Sequence, residues 1–132
     1  MSLQIPIGPI SPFFIVKDAV LAANFYREKL GFSIEHLKPR DEPFFAIVRR
    51  DQIQIFLKAV SDEIVAHPNH SRHEWAPWDA FIFAEDPEAL ADDFLNRGAA
   101  LNTEVILRED GLYGFEVSDL DGYMLFFGRP KR

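Results

Sequence analysis

The feature that most constrains this chain is a pattern that occurs twice. Phe13 to Asp18 (FFIVKD) lies over Phe81 to Asp86 (FIFAED) at an offset of 68 residues, about half of the 132-residue length. Each copy is a short apolar run that stops at an Asp able to cap a helix, because its side chain accepts from the first unpaired helix N–H groups. After Asp18 the apolar positions Leu21, Ala22, Phe25, Tyr26 and Leu30 recur at helical spacing up to Gly31, where a left-handed C-terminal cap is needed. After Asp86 a helical run with Leu90, Phe94 and Leu95 ends at Gly98. Strands follow both helices: near 32–37, 44–49 and 53–57 in the first copy, and near 104–107, 112–117 and 123–127 in the second. Both copies therefore read βαβββ, and an internal duplication explains the shared order.

These elements predict an α+β fold: two tandem βαβββ modules with helices on the outer face of a cupped, mostly antiparallel sheet. The chain is expected to be one domain over 1–132, with module one at about 9–60, a linker loop at about 61–77 and module two at about 78–130. The linker carries three of the four His and neither period, so it reads as loop. His67, His70 and His73 are spaced three apart, but Pro68 and Pro77 disfavour a regular helix there, and a solvated cluster is expected.

Composition removes several functions. There is no Cys, which excludes thiol chemistry and the usual structural zinc sites. A net charge of −7 argues against nucleic acid as partner and weakly favours a cationic or neutral ligand. Residues 1–10 lack the basic start and apolar run of a secretory leader, and no stretch reaches the ~20 apolar residues of a membrane span. No membrane partner is expected, and a cytoplasmic location is the default. The Gly residues are isolated at turns, so no phosphate-cradling loop is present.

Asp18 with Asn24-Phe25-Tyr26-Arg27-Glu28-Lys29-Leu30-Gly31-Phe32 resembles the "D…FYxxxLGF" signature of the vicinal oxygen chelate superfamily, which includes glyoxalase I, bleomycin resistance proteins and extradiol dioxygenases. Tyr113-Gly114-Phe115 and Asp119-Leu120-Asp121-Gly122-Tyr123 resemble its C-terminal turn, with Leu120 where the family commonly has Pro. The resemblance covers nearly the whole chain. It implies a homodimer and, in metal-bearing members, ligands on the first and fourth strands of each module. Laid over this sequence, those positions fall at Ser11, Phe56, Asp79 and Phe126. A divalent ion needs several N or O ligands within ~2.0–2.6 Å, and a phenyl ring offers none. No metal and no other cofactor is therefore expected.

Because side chains alternate across a strand, counting in twos from those positions assembles one face. Ser11, Phe13, Gln54, Phe56, Asp79, Phe81, Phe83, Met124 and Phe126 share it, with Ile15 beside them, and Trp78 stands at the entry to the second module with Trp75 nearby. Phe14, Val16, Ile55, Leu57, Ile82, Ala84, Leu125 and Phe127 point the other way and meet Leu21, Phe25, Leu90 and Phe94 of the helices as core. An aromatic-lined face with a few polar groups is the usual composition of a small-molecule site. It is equally the composition of a second core or a dimer contact. Asp79 is the carboxylate placed there, where an apolar setting would raise its pKa and fit it for acid–base work; Glu116 joins it if the face is read the other way. No nucleophile with its base can be assembled.

The leading expectation is a metal-free, non-catalytic small-molecule-binding protein resembling the bleomycin resistance branch. It would hold an aromatic or hydrophobic ligand, the net charge favouring a cationic one, in a Phe-lined cleft. Two alternatives stay open: a glyoxalase-like lyase or dioxygenase-type enzyme using a divalent metal or Asp79 as base, and a protein-interaction domain.

Overall fold

A computed structural model describes residues 4–132; residues 1–3, the start of the stretch compared with a secretory leader, lie outside it. The first module runs β1 (Phe13–Ile15), α1 (Ala19–Leu30), β2 (Ser33–Lys38), β3 (Phe45–Arg50) and β4 (Ile53–Lys58). After a segment holding the short helix α2 (Asn69–Arg72), the second runs β5 (Ala80–Phe83), α3 (Pro87–Asn96), β6 (Ile106–Leu107), β7 (Leu112–Ser118) and β8 (Met124–Pro130). Both modules are βαβββ. The linker is not wholly loop, since Pro68 precedes a single helical turn at α2.

Strand order is β1-β4-β3-β2 in one sheet and β5-β8-β7-β6 in the other. The first strand of each module runs parallel to the last and the remaining pairs are antiparallel. The duplication is geometric as well as sequential. Asp18 Oδ1 accepts from Leu21 N and Asp86 Oδ1 from Ala89 N, while Phe13 lies beside Phe56 and Phe81 beside Phe126 in matching registers. Helix α1 stops at Gly31, whose φ of 73° is the left-handed conformation a residue with Cβ resists.

One core serves both modules. It joins Phe14, Val16, Tyr26, Leu30, Val48, Ile55 and Leu57 to Phe94, Phe115, Val117, Leu125 and Phe127, and α1 touches α3. The core-facing strand residues are those that alternation selects. Leu21 is the exception, being exposed rather than packed. The buried stripe of α1 is Ala19, Ala22, Ala23, Tyr26 and Leu30, and Leu21 falls between its rows. Three alanines on that stripe let the helix approach its sheet closely.

Polar contacts tie the modules together at both ends. Arg50 Nη1 donates to Leu30 O (2.7 Å), capping α1, and to Asp93 of α3 (2.9 Å). Across the molecule Tyr26 Oη donates to Asp119 (2.7 Å) and Tyr123 Oη to Ile15 O (2.6 Å), with the Tyr123 ring stacked on Phe14 at 4.2 Å. Residues of the two signature motifs, Tyr26, Asp119 and Tyr123, thus serve architecture. Among the described residues no helix is long and apolar enough to cross a membrane.

The two-module α+β architecture expected from the sequence is present, each module carrying its own four-stranded, mostly antiparallel sheet, and among the described residues no strand of one sheet pairs with a strand of the other. The first strands, β1 and β5, are too short to carry a long ladder, and the outer edge of each is left unpaired among the described residues.

Candidate functional site

Each sheet carries a three-ring cluster on the face turned away from the helices. In sheet one it is Phe13, Phe45 and Phe56, with centroids 5.8–6.4 Å apart. In sheet two it is Trp78, Phe81 and Phe126: Trp78 lies 4.3 Å from Phe126, and Phe81 is stacked on Phe126 at 5.5 Å. Phe13 and Phe81 occupy equivalent places 68 residues apart, and Phe56 and Phe126 are their pairing partners. Phe13, Phe81 and Phe83 remain 56%, 45% and 60% exposed. Phe126 does not: it is 1% exposed, sealed by its neighbours rather than open to a ligand.

A groove of about 830 Å³ runs between the N-terminal segment, the β3–β4 turn and β5, lined by Ile10, Ser11, Ile53, Asp79, Phe81 and Phe83. A smaller hollow of about 250 Å³ shares Ile53, Ile82 and Phe83 with it. A third, of about 380 Å³, lies between Phe13, Ile15, the 64–67 segment and Asp79. The groove thus gathers Ser11, Asp79, Phe81 and Phe83, and Phe13 stands on the other side of Asp79. Gln54, Phe56, Trp78, Met124 and Phe126 line none of these three spaces. Gln54 donates to Glu35 (3.3 Å), which is also held by Arg49. Met124 Sδ receives Ser118 Oγ at 3.8 Å.

Asp79 has both carboxylate oxygens engaged. Oδ1 accepts from Asn69 N and Oδ2 from Met124 N, each at 2.8 Å, so the residue pins α2 against β8. The ion that metal-bearing members carry does not fit the four positions: two are phenyl rings, which offer no ligand atom, and the one carboxylate is engaged in holding Asn69 N and Met124 N. Among the described residues no three His, Asp or Glu side chains converge on a common point. His70 Nε2 pairs with Gly122 O (2.9 Å), and His73 lies against Trp75.

Trp75 is 83% exposed and forms no wall of the aromatic face, whereas Trp78 is built into it. Glu116 lies directly across from Phe126 in the β7–β8 register, which puts it on the ring-bearing face, and it accepts from Trp78 Nε1 at 2.5 Å. Two residues of this face escape sequence reasoning. Phe45 is found by extending the alternation to β3. Arg108 sits in the β6–β7 turn, where no period applies, and its guanidinium carbon stands 4.8 Å from the Trp78 ring centre and 5.9 Å from that of Phe126.

No protein-family model matches the chain, and neither does any curated protein. Solved structures do. TioX from Micromonospora sp. ML1 superposes with a TM-score of 0.69 at 15% identity, over 93% of this chain and 99% of that one. TnmS3, an antibiotic binding protein from Streptomyces sp. CB03234, gives 0.65 at 18% identity, over 97% and 100%. A glyoxalase/bleomycin resistance protein/dioxygenase from Nocardioides gives 0.67 at 10%, over 98% and 88%. At these identities the likeness is one of fold, and the fold is that of the vicinal oxygen chelate proteins.

Proposed function

We propose that this protein binds a planar aromatic or hydrophobic small molecule, cationic in preference, without chemical turnover, and that it does so as a homodimer. The observation that carries the reading is the placing of Phe81 and Phe83, about half exposed, on the wall of a groove of about 830 Å³. Aromatic rings left open on a rigid strand beside a cavity of drug-like size are a preformed stacking surface. The net charge of −7 favours a cation. The structural engagement of Asp79 with Asn69 N and Met124 N, and the lack of a nucleophile with its base, support binding rather than catalysis. That one structural neighbour is an antibiotic binding protein fits the same reading.

The test is a fluorescence titration with planar aromatic probes, cationic and neutral. Phe81→Ser and Phe83→Ser are each expected to weaken the best probe by about tenfold or more, since each removes a stacking surface. Unchanged affinity in both variants would overturn the assignment of the groove.

Dimerisation is supported by the apolar surface that one chain leaves uncovered. Ile5, Ile7 and Ile10 of the N-terminal segment, with Phe13 and Ile15 of β1, all face solvent. A second copy would cover them and close the aromatic face. Sedimentation equilibrium is expected to give the mass of two chains at micromolar concentration; a single-chain mass throughout would sink the dimer.

A further inference from the structure

The ring cluster of sheet two has a cation on it that the chain itself supplies. The guanidinium of Arg108 lies over Trp78 and reaches toward Phe126. Its Nη1 is 4.0 Å from Glu116 Oε2, and its Nε donates to Asp110 (3.1 Å to Oδ2). Glu116 in turn receives Trp78 Nε1. A flat cation on an indole face with a carboxylate alongside is the arrangement by which proteins recognise planar or quaternary cations, worth about 0.5–2 kcal/mol by burial. Here the ligand's place is taken by a side chain from a turn.

We infer that Trp78 and Glu116, with Phe126 packed behind the indole, form a subsite for the cationic ring of a planar ligand, and that Arg108 is its intramolecular stand-in, displaced when such a ligand binds. The inference rests on the aromatic-ligand reading above and specifies its charge and its gate. Three features support displacement. Arg108 stands in the tight turn between β6 and β7, where Gly111 N returns to Arg108 O and Gly111 adopts a φ of 88°. Asp110 sits beside it in the same turn, so a guanidinium that leaves Trp78 keeps an ionic partner. Its departure uncovers the Trp78 face and frees the flank of Glu116. An anionic ligand would instead meet Glu116 and Asp110, which outnumber Arg108 in charge.

The test uses full-length protein carrying Trp75→Phe, so that Trp78 alone reports. The probes are 1-methylquinolinium, a planar cation, and 2-naphthoate, an anion of similar shape. Arg108→Ala is expected to tighten 1-methylquinolinium about tenfold, the site no longer having to expel its own cation. Arg108→Gln, which keeps a polar group near Asp110, is expected to act in the same direction and stands in if the alanine variant fails to fold. Adding Glu116→Gln, which still accepts from Trp78, is expected to abolish the gain. Cation affinity left unchanged or weakened by Arg108→Ala would overturn the inference. Weaker naphthoate binding in that variant would overturn it by making Arg108 an anion anchor, while leaving the aromatic-ligand reading intact. Failure of every planar probe in every variant would overturn both.

Discussion

Asp119→Ala is expected to destabilise the protein by about 4 kcal/mol near pH 5 and by about 1.5 kcal/mol less near pH 8, measured by urea denaturation. The carboxylate receives Tyr26 Oη at 2.7 Å and the backbone N–H groups of Asp121 and Tyr123 at 2.9 Å. Removing it orphans three donors, two of them buried, at about 1–3 kcal/mol each. Burial is the main cause that pushes the Asp119 pKa up to about 6; the Asp121 charge adds to it, and the bonds from Tyr26, Tyr123 and Asp121 oppose it. A folded-state pKa raised from 3.8 means that the folded protein binds the proton more tightly than the unfolded chain. The stability contributed by this group is therefore fully present below about pH 4 and is lost as pH rises through about 6, about 3 kcal/mol across the interval. Burial raises Asp121 as well, and Tyr26 and Tyr123 stay neutral in this window, so nothing facing Asp119 reverses the sign.

Asp119→Asn separates the two contributions. Its amide oxygen still accepts from Asp121 N and Tyr123 N, and its NH2 can donate to Tyr26 Oη, while the ionisable proton is gone. The expected result is a flatter stability profile between pH 4 and 7, with the variant equal to or above the parent at pH 8. A profile as steep as the parent's would remove Asp119 from the account. Because the network joins α1 to the turn before β8, its loss is also expected to loosen one module from the other.

How far the sequence could be read follows from which interactions are periodic. Asp18 and Asp86 are legible because a cap sits at a fixed offset from its helix, and both accept from the backbone N–H of the third residue on. The two faces of β1, β4, β5 and β8 are legible because alternation is a property of the strand itself. What escaped depends on residues brought in from elsewhere. Asp79 reads as an open acid until α2 presents Asn69 N to it. Phe126 reads as a cleft-lining ring until Trp78 and Arg108 close over it. Leu21 reads as core because its helix position is apolar, but the closeness of α1 to its sheet is set by alanines, and the leucine is left outside. Arg108 has no period to betray it. The relation between the two sheets was likewise invisible, since no strand pattern encodes whether one sheet closes on another.

Gly114→Ala or Gly128→Ala is expected to cost about 3 kcal/mol or more and to abolish the aromatic stack of sheet two. The two glycines face each other across β7 and β8. A Cβ on Gly114 would stand 2.1 Å from Phe127 O and 2.9 Å from Phe126 Cζ; one on Gly128 would stand 2.4 Å from Tyr113 O and 2.6 Å from Phe126 Cε1. The carbonyls belong to the ladder and cannot move without breaking it. The ring of Phe126 is the other neighbour in both cases, which says why the pair is glycine: the bare backbone is the floor on which Phe126 lies flat enough to be 1% exposed. Adding a methyl lifts that ring into Trp78 and Phe81, and with them the surface on which Arg108 rests. The variant should therefore lose stability and probe binding together, whereas Arg108→Ala should tighten cation binding while costing no more stability than the ~2 kcal/mol upper range of one cation–π contact. A Gly114→Ala protein that melts like the parent and keeps a blue-shifted, buried Trp78 emission would show that the strands at this point are not as close as the register places them.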